Sequence, residues 1–382
     1  MKKWIAPIVF AVFIFAEPPA AQSLTIIPTF DVSITGNANA AQIEAAINAA
    51  ISALETNIID NLTVKIDFVD DPTVDLGQSS TWGDNYSYSN YIAALRNRAV
   101  SANDIHSLGK LPYATNDPVI GATQIYFNLT LARNLGLDTG YGPDGFDSTI
   151  SLNIPSMNLT RPPTNPNDYD LQMTAEHEMD EVLGTSSDLP ETTVISPADL
   201  FRYTTNLART FITTGDNAYF SVDGTNLWAR YNMNSGGDYG DWWSFTGWWA
   251  PPGSTAHEQV QDAFAYPDVA FNVGTNELTV LDVVGYTLAN TTPSIVIVSS
   301  AKGQIKISWA ANITDFSLQE STNLHTWSAS STGTNNPAVI ATGSAAKFYR
   351  LAMTTTPSVA LPNVKLAEKS SRHRKTHILL RH

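Results

Sequence analysis

Ile43, Ile47, Ile51 and Leu54 recur every three or four positions in an Ala-rich run. That is the period of a helix with one apolar face, and it predicts a helix over residues 40–54. Residues 62–69 (LTVKIDFV) instead alternate apolar and polar and are β-branched, which predicts a half-buried strand. The same reading gives strands at 24–34, 123–131 and 149–154 and helices at 91–100, 104–108 and 278–288. A further helix is predicted over 166–183, with Asn165 as cap, Pro166 at its first position and Gly184 as its stop. Residues 199–268 turn into short strands and loops rich in Gly, Trp and Asp. Past a linker at 289–293, short alternating runs at 295–298, 304–309, 316–319 and 347–351 predict a small all-β module.

Strands interleaved with helices and followed by short strands imply an α+β fold, a mixed sheet with a helix beneath it and a separate small β domain. The divisions are residues 1–22, 23–290, 294–353 and 354–382. In the first, Lys2 and Lys3 precede an apolar run of about a dozen residues that Glu17, Pro18 and Pro19 end. This is the pattern of a secretory signal peptide, and the run is too short for the ~20 residues of a membrane span. The protein is therefore expected to be exported and not integral to a membrane. The last division mixes Thr, Pro, Ser and basic residues without apolar period and reads as a disordered basic tail.

Charge sharpens the division. The whole chain of 382 residues carries −15, yet the ends are basic. Setting aside residues 1–22 and 363–382 leaves 13 basic against 34 acidic residues, a body near −21. Such a body repels phosphate backbones, which excludes nucleic-acid binding by the main domain. The chain has no cysteine, so thiol catalysis, thiolate zinc sites and disulfide frameworks are excluded as well. A Ser-His-Asp mechanism finds no G-x-S-x-G turn. Any metal must be held by His and carboxylates.

The candidate chemistry lies in Glu176-His177-Glu178-Met179-Asp180-Glu181. A zinc-protease helix sets two ligands at i and i+4 on one face, with a Glu beside the first as general base. His177 and Glu178 fill the first two places, and Glu181 stands where the second His is usual. Both 177 and 181 point the same way on a helix, and a Glu can ligate through oxygen. The competing reading of the same residues is an acidic, solvated helix face. Asp188 and His257 are the candidates to complete a ligand shell. A set of one His with carboxylates also suits harder cations than the usual three-nitrogen zinc site.

These segments resemble a group of exported bacterial proteins regarded as metalloproteases of the zincin type. The resemblance rests on the helix ending in Leu183-Gly184, on Asp199-Leu200-Phe201-Arg202-Tyr203, on Ala218-Tyr219-Phe220-Ser221-Val222-Asp223-Gly224 and on Leu281-Asp282-Val283-Val284-Gly285-Tyr286. It covers roughly residues 24–290. It implies a zincin-like fold and a zinc-dependent peptidase acting on a protein or peptide, with His177, Glu181 and Asp188 as metal ligands and Glu178 as catalytic base. The alternative is a non-catalytic secreted or surface protein that kept the fold without the second His. The module at 294–353 is similar to a small β-sandwich at the C-terminal ends of exported bacterial proteins, which implies a display or binding role.

Weaker candidates remain. Asp138, Asp144 and Asp147, with Asp238 and Asp241, lie in Gly-rich loops that offer oxygen ligands to calcium, but they lack the full spacing of a calcium loop and read first as plain solvated turns. Trp242, Trp243, Trp248 and Trp249 fit either a peptide- or sugar-gripping cleft or core aromatics. His106 and His325 stand alone and read as packing or surface residues.

Overall fold

The computed structural model describes residues 23–190, 193–215, 217–244, 259–289, 295–299, 303–309, 316–341, 347–353 and 373–381. In chain order the body begins with β1 (Thr25–Phe30), α1 (Val32–Thr35), α2 (Ala40–Asn57), β2 (Thr63–Asp70), β3 (Gly77–Ser87), α3 (Tyr88–Arg98) and α4 (Ala102–Leu108). There follow β4 (Gln124–Asn128), α5 (Leu129–Asn134), β5 (Ser148–Leu152), β6 (Met157–Asn158), β7 (Tyr169–Asp170) and α6 (Leu171–Leu183). Short strands β8 (Arg202–Tyr203), β9 (Tyr219–Phe220) and β10 (Phe264–Ala265) lead to α7 (Thr275–Val284). The remaining strands are β11 (Val296–Ser299), β12 (Gln304–Ser308), β13 (Phe316–Ser321), β14 (Ser328–Ala329), β15 (Ala338–Ala341), β16 (Phe348–Met353) and β17 (His373–Arg381).

The fold is mixed α+β, as the element order implies. Its main sheet has seven strands in the order β1-β2-β5-β3-β17-β10, with β4 also pairing β3. The β1–β2 and β2–β5 pairs are parallel, and the pairs of β3 with β5, β4 and β17 are antiparallel. Helix α2 makes the crossover between β1 and β2, and its stripe of Ile43, Ile47, Ile51 and Leu54 is buried. Val64, Ile66 and Phe68 of β2 face the same core, each contributing ~1.5–3 kcal/mol on burial. Helix α6 packs against α2 on one side and against β3, β5 and β17 on the other. Among the described residues no helix is long and apolar enough to cross a membrane.

Several boundaries differ from the periodicity. The first strand stops at Phe30 because Asp31 caps a turn of helix, its Oδ1 accepting from Ser33 N at 2.8 Å. The strand expected through 131 ends at Asn128, and Leu129, Leu131 and Ala132 enter the core from α5. Helix α6 starts at Leu171, not at 166. Asp170 is its cap, accepting from Met173 N at 2.6 Å and from the Arg161 guanidinium at 2.7 Å. Asn165 and Pro166 instead belong to a turn that Asn158 holds, through Asn165 N at 2.9 Å and the Asp168 carbonyl at 2.9 Å.

The larger correction concerns the tail. Residues 373–381 are not disordered but form β17 in the main sheet, paired with β3 from His373↔Gly83 to Leu379↔Gly77. Alternation supplies the inward Leu379, and the strand's basic groups meet acids of the body. Residues 354–372 lie outside the described residues. Between Val296 and Met353 the chain makes two three-stranded antiparallel sheets, β11-β12-β15 and β14-β13-β16, around Ile307, Trp309, Leu318, Ala338 and Ile340.

Helices α4 and α7 meet at two buried acids. Ser101 Oγ donates to Asp282 Oδ2 at 3.0 Å and accepts from Asp104 N at 2.9 Å. Burial pushes Asp104 up to about 6 and Asp282 up to about 7, with the charge of Asp104 adding to the shift of Asp282. The folded chain thus keeps protons that the unfolded chain, with Asp near ~3.9, has released. Stability therefore falls as pH rises from the unfolded value through 7. Asp282→Asn is expected to flatten that slope and to raise stability at pH 8 by on the order of 2 kcal/mol, read from urea unfolding at pH 5 and pH 8. An unchanged slope would contradict this.

Candidate metal centre

Helix α6 is unusual because its polar residues are inside. Glu176, His177, Glu178, Asp180 and Glu181 are all fully buried. The helix is closed at its C-terminal end by side chains that take its orphan carbonyls. Asn128 Nδ2 donates to the Glu181 carbonyl at 2.7 Å, Thr130 Oγ1 to that of Val182 at 2.5 Å, and Tyr286 OH to that of Leu183 at 2.8 Å. Gly184 then stops it in a left-handed conformation, φ 131°.

His177 is held in one tautomer. Its Nδ1 lies 2.8 Å from the carbonyl of Val260. A carbonyl only accepts, so the proton is assigned to Nδ1 and Nε2 presents a lone pair. Burial lowers its pKa to about 4, which keeps the ring neutral. Nε2 faces Glu181 Oε1 and Asp241 Oδ1, each at 3.8 Å, and the Gln261 amide at 3.2 Å. That amide also donates to Asp241 Oδ1 at 2.9 Å. A neutral imidazole fixed by a backbone carbonyl, with its other nitrogen aimed at carboxylates, is how metal-ligating histidines are oriented.

The carboxylates are left wanting. Glu181 Oε2 accepts from Ser79 Oγ at 2.7 Å, but Glu181 Oε1, Asp241 Oδ2 and both Glu178 oxygens have no hydrogen-bond partner. Burial pushes all three acids well above the usual carboxylate range; the charge of Asp241 adds to this at Glu178, that of Glu178 at Glu181, and those of Asp238 and Glu181 at Asp241. Each unsatisfied buried group costs roughly 1–3 kcal/mol, and more when charged. A divalent cation among His177 Nε2, Glu181 Oε1 and Asp241 Oδ1 would remove that cost at Glu181 Oε1 and offset the charge of both carboxylates. The three donors lie within 4.8 Å of one another. Separations of 3.8 Å match two bonds of ~2.0–2.2 Å meeting at one ion. The residues therefore fit a metal.

Glu181 also belongs to a second group with Asp238 and His377 of β17. Burial works against charge on His377, but Asp238, Glu181 and Asp188 overcome it and raise its pKa to about 9. His377 is thus an imidazolium hydrogen-bonded to Asp238 through Nδ1, and this group is an ion pair.

Strand β3 is shaped to receive these acids. Its inward positions include Gly77, Ser79, Thr81 and Gly83. A Cβ at Gly77 would collide with Glu178 Oε1 and stand 2.9 Å from both Glu178 Cγ and Thr174 Cγ2. Gly77→Ala is accordingly expected to cost ~1–3 kcal/mol by overpacking, read as a lower denaturant midpoint. A midpoint at or above that of wild type would contradict it.

Of the sequence-predicted residues, the structure brings His177, Glu178 and Glu181 together. Asp188 is elsewhere. Its Oδ2 accepts from Ser196 Oγ at 2.8 Å and its Oδ1 pairs with Lys375, so it stands in neither candidate group. Asp241 takes the place expected of it. The residue sits on a loop brought close by Gly240, whose Cβ would lie 2.8 Å from Ser187 N and from the Thr185 carbonyl. His257, Trp248 and Trp249 lie outside the described residues. Trp242 is a core residue, donating from Nε1 to Glu277 at 3.0 Å, and Trp243 carries Arg230 over its ring at 3.9 Å. The loop acids have protein partners: Asp138 accepts from Tyr86 OH, Asp144 from Trp82 Nε1 and Asp147 from Arg133. His106 and His325 are exposed.

Gln261, Val260 and His377 escaped sequence reasoning because none stands at a ligand spacing from α6. The segments behind the zincin resemblance act as supports. Asp199 accepts from Ser187 Oγ at 2.6 Å, Arg202 is fully buried over the Tyr231 ring at 4.3 Å, and Gly285 has φ 132° beside Leu135. No family model, curated protein or solved structure matches the chain.

Proposed function

We propose that this protein is a metal-dependent peptidase. The observation that carries the reading is the convergence of neutral His177 Nε2, Glu181 Oε1 and Asp241 Oδ1, with carboxylate oxygens left unpartnered around them. These three side chains would hold the ion, and when bound it supplies Lewis acidity toward water and the scissile carbonyl. Zinc suits the imidazole, and harder divalent ions suit the two carboxylates. Glu178, adjacent to His177 and with both oxygens free of hydrogen bonds, accepts the proton of the attacking water and returns it to the leaving amine. The signal-like pattern of residues 1–22 supports placing this activity outside the cytoplasm.

The second reading, a non-catalytic exported binding protein on the same fold, draws on the complete burial of the three donors. The two separate in a casein assay on the chelator-stripped chain, before and after zinc is restored. Hydrolysis that returns with zinc supports the peptidase. Equal rates in stripped chain, reloaded chain and the reloaded Glu178→Gln variant would overturn it.

A further inference from the structure

Strand β17 lies where it hides the candidate centre. It runs along the edge of β3 from Gly77 to Gly83, packs on α6, and carries His377 to Asp238 beside Glu181. Its neighbour on the far side, β10, pairs with it at two positions only. Without β17, the Gly77–Thr81 stretch of β3 would present an unpaired edge directly beside Glu178 and Glu181.

The match between β17 and its groove is one of charge as well as backbone. Lys375 pairs with Asp188, His377 with Asp238, Arg381 with Asp75 at 3.2 Å and Arg374 with Asp144 at 3.9 Å. Leu379, 1% exposed, is the strand's one apolar anchor in the core. Four basic groups within nine residues thus sit on a body of 13 basic and 34 acidic residues. Ladder hydrogen bonds are made by main chain, so any extended peptide can form them; side-chain pockets decide which peptide does.

We propose that β17 is an intramolecular occupant of a substrate groove, and that the groove selects extended peptides with Lys, Arg or His at neighbouring positions. The proposal rests on the peptidase reading and names its substrate class. The intact chain then works only in the minor population from which β17 has left the sheet.

The test uses the full chain with a protease recognition sequence placed within residues 354–372, before and after cutting. The probe is a fluorescein-labelled synthetic peptide with the sequence of residues 373–381, and binding is read by anisotropy. Cut chain is expected to bind it at least about tenfold more tightly than intact chain, because the intramolecular competitor is no longer tethered. A peptide carrying Arg374→Glu, Lys375→Glu and Arg381→Glu is expected to bind about tenfold or more weakly than the native one. Should cutting unfold the chain, seen by circular dichroism, the uncut Lys375→Glu/Arg381→Glu variant carries the test, and it is expected to bind the native peptide more tightly than uncut wild type does.

Equal binding of the native peptide to opened and closed chain, or equal binding of native and charge-reversed peptides, would overturn the proposal. The anisotropy readout needs neither metal nor turnover. Failure of the peptidase reading therefore shows in the casein assay, and failure of the groove shows here.

Discussion

Glu178→Gln is expected to slow peptide hydrolysis about 10²–10⁴-fold while leaving metal uptake unchanged. The amide has the shape of the carboxyl but cannot take a proton from water. Neither Glu178 oxygen has a hydrogen bond of ordinary geometry, and the backbone N–H groups of Ser79 and Leu379 that steady the carboxylate can be met by the Gln carbonyl as well. Burial already pushes this carboxyl well above its ordinary range, and a neutral amide removes the cost of charging it there. The folded chain should therefore be as stable as wild type or more so. Loss of rate with intact stability and intact metal content isolates the proton acceptor from the ligands. A variant within a few-fold of wild-type rate would assign the base elsewhere.

Asp147→Ala is expected to cost about 3–5 kcal/mol of stability, the largest effect of any substitution considered away from the centre. Arg133 forks onto Asp147 through Nη1 at 2.6 Å and Nη2 at 2.9 Å, and Asp147 also accepts from Lys65 N at 2.9 Å. The side chains are 9% and 1% exposed, so removing the acid leaves a buried guanidinium uncompensated. The pair also clamps the main sheet, because Arg133 of α5 donates to the Thr63 carbonyl of β2 at 3.0 Å. The pair of Lys347 and Glu320 is the contrast. Its side chains are 41% and 24% exposed, so solvent screens the pair and breaking it is expected to leave stability nearly unchanged. Denaturant midpoints of Asp147→Ala and Glu320→Ala check the difference, and a small loss from Asp147→Ala would contradict the clamp.

Elements that bury a regular apolar face could be read from the sequence. Helix α2 and strand β2 follow their periods because nothing but packing sets their residues. Strand β3 could not be read, because its inward face is Gly, Ser, Thr and Gly rather than Val or Ile. Small residues are required there because Glu178 and Ser79's partner Glu181 lie directly against it. Strand β17 looked like solvated tail for a related reason: its side chains are satisfied by acids scattered over Asp75, Asp144, Asp188 and Asp238, which composition cannot locate.

The helix that bears the site was legible in its residues and its stop but not in its start. Asp170, not Asn165, has the carboxylate that reaches a free N–H. Within the site, His177, Glu178 and Glu181 follow from spacing on one helix. Asp241 does not, because a ligand delivered by a loop 60 residues later obeys no helical period, and Asp188 was the nearer acid on the chain alone.

His177, Glu181 and Asp241 are expected to hold one metal ion between them. The most direct measurement is the metal content per chain after stripping with chelator and reloading with zinc, for wild type, Asp241→Asn and Asp188→Asn. The expected result is one ion per chain in wild type and Asp188→Asn, with affinity lowered at least ~10–100-fold in Asp241→Asn. No stoichiometric uptake by wild type, or uptake lost with Asp188 and kept without Asp241, would contradict it.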